Sequence, residues 1–169
     1  MPVESIMDIL AAQAGGLLRS HGLMLATAES CTGGGVAQAI TEIAGSSAWF
    51  ERGFVTYSNL SKQQMLGVSE ATLMQYGAVS EPVVREMVAG ALANSAAQVV
   101  LAVSGIAGPD GGTPDKPVGT VWFAWGLKNA SVHAQRHQIA GNRAEVRAHA
   151  VRIALQGIID LLNQRTETV

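Results

Sequence analysis

The stretch "TAESCTGGGVAQAI", Thr27 to Ile40, decides the fold. The short apolar run "LMLATAE" leads into it from Gly22 and reads as a buried strand, and after the glycines the spacing from Gly34 to about Ile43 is helical. Strand, tight turn and helix place Ser30 at the junction, beside Cys31, the chain's only thiol. Three readings fit. Ser30 or Thr32 caps the helix; the amides of the glycine turn hold an anion; or Ser30 is a nucleophile whose oxyanion is met by amides around Thr32, Gly33 and Gly34. They differ in what else must lie nearby.

Working outward, "SIMDILAAQAGGLLRSHG" carries apolar residues at helical intervals and stops at Gly22. "GFVTYS", 53–58, reads as a second strand, with "SKQQML" and "SEATLMQYG" as short helical pieces. Ser80 suits the N-cap of "SEPVVREMVAGALANSAA", with Glu81 near the positive end of the dipole and Pro82 in the first turn. "QVVLAVSGIA", 98–107, is almost continuously apolar, as a strand covered on both faces should be, and ends in the loop "GPDGGTPDKPVG", where parallel sheets bind ligands. "TVWFAWGL" and "SVHAQRHQI" read as an antiparallel pair joined around Lys128, Asn129 and Ala130. Asn142 and Glu145 fit a capping box for a long closing helix. The expectation is a single-domain three-layer α/β/α fold over residues 1–169, with a mixed, mainly parallel sheet and no internal repeat or linker.

Composition narrows the function. At 48% hydrophobic and 14% charged, with 19 glycines, the chain reads as an alanine- and valine-rich core packed closely through small residues. A formal charge of -2 gives no general reason to bind nucleic acid or an anionic membrane, so an anionic ligand must be small and held locally. One cysteine excludes an internal disulfide, and no charged-then-apolar leader or long apolar run is present, so a cytoplasmic protein is expected.

The turn lacks both the G-x-G-x-x-G spacing and the lysine of a P-loop, which disfavours dinucleotide and NTPase sites. A nucleophilic serine needs a base. His21, His133, His137 and His149 have no partner carboxylate in sequence, and two histidines on one strand make a poor metal site, so no metal and no cofactor are expected. Of the three lysines, Lys62 lies just past the second strand, where a parallel neighbour would bring it beside the end of the first. Partial desolvation would lower its pKa and let the neutral amine take the serine proton, with Tyr57 as relay or orienting group or else as an ordinary rim residue. Cys31 competes as nucleophile, or is a small buried hydrophobe. Arg143 and Arg147 share a face at the start of the last helix and are candidates for an anion, or form a solvated basic face; the loop of Ser104, Gly105, Gly108, Gly111 and Gly112 is a candidate substrate wall. A module that binds a nucleotide without hydrolysing it stands as the alternative.

The blocks "TAESCTGG", "GSSAWFERGFVTYSNLSK", "GAVSEP", "SGIAGPDGGTPDKPVGTVWFA" and "GNRAEVR" run in order along essentially the whole chain and resemble the signature blocks of the CinA C-terminal domain family, the nicotinamide-nucleotide amidases. The resemblance implies metal-free hydrolysis of the carboxamide of nicotinamide mononucleotide to nicotinate mononucleotide and ammonia, a step of pyridine nucleotide salvage. It implies Ser30 as nucleophile with Lys62 and Tyr57 as activating partners, a small nucleotide substrate, and a homo-oligomer. Longer members carry a further N-terminal domain, and the pyrophosphatase activity associated with it is not expected of this chain.

Overall fold

The computed structural model describes residues 5–167. Six helices and five strands follow in the order α1 (Ile6–Ser20), β1 (Leu25–Glu29), α2 (Gly35–Thr41), β2 (Phe50–Val55), α3 (Asn59–Leu66), α4 (Glu70–Tyr76), α5 (Glu81–Ala93), β3 (Val99–Gly105), β4 (Thr120–Leu127), β5 (Val132–Gln138) and α6 (Arg143–Glu167). The sheet order is β2-β1-β3-β4-β5. β1 pairs in parallel with β2 and β3, whereas β3–β4 and β4–β5 are antiparallel. Four strands therefore run in one direction and only β4 is reversed, the mixed sheet expected.

Period-two alternation divides the core. Leu25, Val99, Leu101, Val103, Val121, Phe123 and Trp125 face α1, α2 and α6. Ala26, Ala28, Val100, Ala102 and Ala124 turn the other way, onto Val83, Val84, Met87 and Val88 of α5, with Leu66 and Leu73 from α3 and α4. Alanines on that second face let α5 lie close to the sheet. At Gly90 the approach is tighter still: a β-carbon there would run into the Leu66 main chain, so a glycine seats the end of α3 against α5. That contact anchors the helix that carries Lys62.

Three local expectations are corrected. β2 starts and ends earlier than 53–58, because Ser58 caps α3 through the Ser61 amide (3.0 Å) and pulls residues 56–58 out of the strand. Ser80 occupies the N-cap position of α5, but its hydroxyl donates to Gly77 O (2.7 Å) instead of capping. α2 is shorter than read, Gly35–Thr41, and neither Ser30 nor Thr32 caps it. The Asn142–Glu145 box at α6 forms in both directions, at 3.0 and 2.9 Å. Among the described residues no helix is long and apolar enough to cross a membrane.

Candidate active site

Three parallel strands end side by side, and each delivers one part of the site. β1 runs straight into Ser30, which is 7% exposed; its amide donates to Val103 O on β3 (3.0 Å), locking the turn to the neighbouring strand. After β2, Thr56 N–H donates to Glu29 O (2.8 Å), and the chain turns through Tyr57 into α3. One turn into α3 sits Lys62, 1% exposed and among the largest fully buried side chains. Its Nζ donates to Ser30 Oγ (2.9 Å), Thr56 O (2.7 Å) and Tyr57 O (3.3 Å). Lys62 forms no ion pair among the described residues. Burial without a carboxylate disfavours the charged form and lowers the ammonium from its ordinary 10.5 to about 8.

The number of partners matters. A neutral amine has two hydrogens and one lone pair. Two carbonyls and one hydroxyl surround the nitrogen, so both N–H groups can be spent on Thr56 O and Tyr57 O while the lone pair meets the Ser30 hydroxyl. Ser30 Oγ itself lies 3.4 Å from Tyr57 O. The part of Tyr57 that touches this pair is thus its main-chain carbonyl. The phenol, on a side chain 62% exposed, accepts from Arg143 Nη2 (3.3 Å) at the mouth of the cleft.

The cleft has a volume of about 300 Å³ and contains Ser30, Tyr57, Lys62, Ser104, Gly105, Gly108, Gly111 and Arg143. Arg143 is fixed by a bond from Nη1 to Gly108 O (2.8 Å). Ser104 donates to Ala78 O (2.9 Å), holding the wall formed by Ala78 and Val79. Gly112 does not line the cleft and packs instead against Val118. Asn59 and Asp110 do line it. Sequence reasoning passed over both; "SNLSK" and "GPDGG" held them in plain view, but a polar residue in a loop carries no signal until a cavity is seen beside it.

Arg147 parts company with Arg143. Its guanidinium donates to Cys31 O (3.0 Å) and Thr32 O (3.4 Å) and faces a separate groove between α1, α2 and α6. The glycine turn also stays out of the cleft. Gly33 N–H donates to Ser30 O (3.0 Å), and Thr32 and Gly34 lie outside the cleft lining. Gly33 (φ 58°) and Gly34 (φ 98°) take successive left-handed conformations, which fold the turn tightly enough for this. The cap of α2 comes from a residue the sequence reading missed. The buried Glu29 carboxylate accepts from Thr32 Oγ1 (2.6 Å), Val36 N (2.9 Å) and Ala37 N (3.0 Å). The start of α2 is therefore filled by an internal anion and is not a cradle for an external one.

Cys31 lines the cleft, but burial pushes its thiol up to about 11. None of the four histidines lines it. His133 and His137 pack against Trp125 and Phe123 beside α6, at the far edge of the sheet. Among the described residues, no three His, Cys, Asp or Glu side chains gather as a metal ion would require.

Residues 7–162 match the CinA C-terminal domain. The chain is 55% identical over 163 residues to the nicotinamide-nucleotide amidohydrolase PncC of Escherichia coli K12, covering 96% of this chain and 99% of that protein. It is 56% identical over 153 residues to the protein of the same name from Enterobacter agglomerans, covering 90% and 93%. Among solved structures, the competence/damage inducible protein CihA of Agrobacterium tumefaciens superimposes with a TM-score of 0.91 at 45% identity, over 96% of this chain and 99% of that one.

Proposed function

The chain belongs to the CinA C-terminal domain family, and from that premise we propose that it hydrolyses the carboxamide of nicotinamide mononucleotide, releasing nicotinate mononucleotide and ammonia, with Ser30 as nucleophile and Lys62 as base. The observation that carries the reading is the buried amine of Lys62 against Ser30 Oγ, 2.9 Å away and without a carboxylate to hold it charged. Neutral Lys62 takes the Ser30 proton as Oγ bonds to the carboxamide carbon. The ammonium then gives that proton to the departing nitrogen, which leaves as ammonia when the C–N bond breaks. Water, deprotonated in turn by Lys62, attacks the acyl carbon, and as the ester C–O bond breaks the ammonium returns the proton to Ser30 Oγ, restoring both groups. With the start of α2 closed, the amides of Ala107 and Gly108, which line the cleft and donate to no main-chain acceptor among the described residues, are the candidate oxyanion donors. No metal takes part in this scheme, and EDTA is expected to leave the rate unchanged. The names borne by the relatives support the substrate; the cleft supports the chemistry.

The test is product analysis. Purified protein is incubated with nicotinamide mononucleotide, nicotinamide riboside, free nicotinamide or the dinucleotide, and ammonia and acid products are measured. The mononucleotide is expected to be turned over fastest. Tight binding of it with no ammonia released would make the chain a binding module instead.

Of the two arginines, Arg143 alone is proposed to hold the substrate phosphate. Its guanidinium stands at the cleft mouth, whereas Arg147 is committed to carbonyls behind the turn. A charge-assisted bond to phosphate commonly contributes about 1.5 to 3 kcal/mol, so Arg143→Ala is expected to lower kcat/KM for the mononucleotide by roughly ten- to a hundredfold. Hydrolysis of the riboside, which has no phosphate, should hardly change. Arg147→Ala should lower both substrates alike, because it loosens the turn that presents Ser30. Equal losses on both substrates in Arg143→Ala would remove it from the phosphate site.

A further inference from the structure

We infer that Glu29 positions the nucleophile: its carboxylate, enclosed behind the site, holds the Ser30–Thr32 turn onto the start of α2 and so sets Ser30 Oγ against Lys62. The inference rests on the Ser30–Lys62 reading above and adds a residue that does not line the cleft.

A carboxylate with 1% exposure is costly to place in a protein interior unless its lone pairs are satisfied. Here no cation is paired with it among the described residues. Three donors satisfy it instead, one hydroxyl and two helix amides, and the shortest bond, 2.6 Å from Thr32 Oγ1, lies on the turn itself. Thr32 is two residues from Ser30, and Gly33 N–H ties back to Ser30 O. The side chain thus grips the nucleophile's turn from behind. Its main chain grips the base. Glu29 O accepts from Thr56 N (2.8 Å), and Thr56 O in turn accepts from Lys62 Nζ (2.7 Å). Through side chain and carbonyl together, one residue references both halves of the pair to the end of β1. A serine or threonine cap would have served the helix as well but could not accept three bonds across two oxygens. That surplus explains a buried charge at this position.

The effect on reaction is one of geometry. Misplacement of reacting groups by around 1 Å can cost on the order of a hundredfold in rate, while binding made elsewhere in the cleft is untouched. Glu29→Gln keeps the shape and one acceptor oxygen but sets an NH2 group toward donors. Its kcat on nicotinamide mononucleotide is expected to fall by about 10- to 100-fold with KM within about twofold. Labelling of Ser30 by a fluorophosphonate should slow in proportion. The pH midpoint of kcat should stay where the wild type has it, since Glu29 acts through position and not through charge on Lys62. Thr32→Val, which leaves the carboxylate and both helix amides in place, should lose kcat in the same direction by a smaller factor. Gln98→Ala serves as control: it removes the acceptor of the Met24 amide at the opposite end of β1 (2.8 Å) and should lower Tm while leaving kcat unchanged.

Wild-type labelling is measured first. If Ser30 is not labelled in the wild type, the nucleophile reading fails. A labelled wild type together with a folded Glu29→Gln that keeps kcat within twofold overturns the positioning role alone. A shifted pH midpoint also overturns it, because it would show an electrostatic role. Should Glu29→Gln not fold, Thr32→Val decides, and an unchanged kcat in that variant overturns the proposal.

Discussion

Ser30→Ala is expected to reduce kcat by about a thousandfold or more while the protein remains folded and still binds nicotinate mononucleotide, because losing the nucleophile of an interdependent pair removes nearly all of its contribution at once. Cys31→Ala or Cys31→Ser should retain most of the activity. The contrast is informative since the two residues are adjacent and both line the cleft. A thiol is the stronger nucleophile only as thiolate. With its pKa raised to about 11 by burial, only about 0.03% of Cys31 would be ionised at pH 7.5. Among the described residues no amine hydrogen bond to its sulfur is seen, whereas Ser30 Oγ has Lys62 Nζ at 2.9 Å. Turnover and fluorophosphonate labelling of the three variants check this. An inactive Cys31→Ala beside an active Ser30→Ala would make the protein a thiol amidase.

Lys62→Arg is the second large effect, again a loss of about a thousandfold or more in kcat, because a guanidinium stays protonated and cannot accept the serine proton. Wild-type kcat/KM should rise with pH to a plateau, with a midpoint near 8, since the reactive form is the neutral amine and burial lowers Lys62 to about 8. At pH 7.5 about a quarter of the lysine is then neutral, against about 0.1% for an ordinary lysine at 10.5. The same shift has a signature in stability. Between about 8 and 10.5 the unfolded chain holds a proton on this lysine that the folded chain has released, so folding stability rises with pH across that window. Below it the buried ammonium weighs against the fold, and above it the contribution is gone. Denaturant titrations from pH 7 to 11 should show this rise in the wild type and its flattening in Lys62→Met. An active Lys62→Arg would reduce the position to a source of positive charge, and the base would have to be sought elsewhere.

The sequence by itself determined the elements and nominated Ser30 and Lys62 as a candidate pair. Apolar runs of strand length, helical spacing and capping residues are local signals, and they placed β1, β3, β4, β5 and all six helices. Lys62 could be nominated because a parallel β1–β2 pair forces the ends of its strands together, and that pairing follows from strand–helix–strand order. Arg143 was legible for a similar reason: the capping box fixes where α6 begins.

Only the tertiary structure decided what surrounds those groups. The depressed pKa of Lys62 arises from its burial against Ser30, Thr56 and Tyr57, groups brought to it from the ends of β1 and β2, and no spacing encodes it. Glu29 looked like the last residue of a strand, and its role as the cap of α2 requires the turn to fold back over it. In sequence the phenol of Tyr57 is its only evident chemistry, yet the chain leaves β2 early and brings its carbonyl to Lys62. Arg143 and Arg147 looked equivalent because residues four apart share a helix face. They are also about 6 Å apart along the axis, and they meet different chain: Arg143 bonds to Gly108 O and Tyr57 OH at the cleft, whereas Arg147 is held by the carbonyls of Cys31 and Thr32. Local spacing specifies which face a side chain shares, but what lies opposite that face depends on chain brought there from elsewhere.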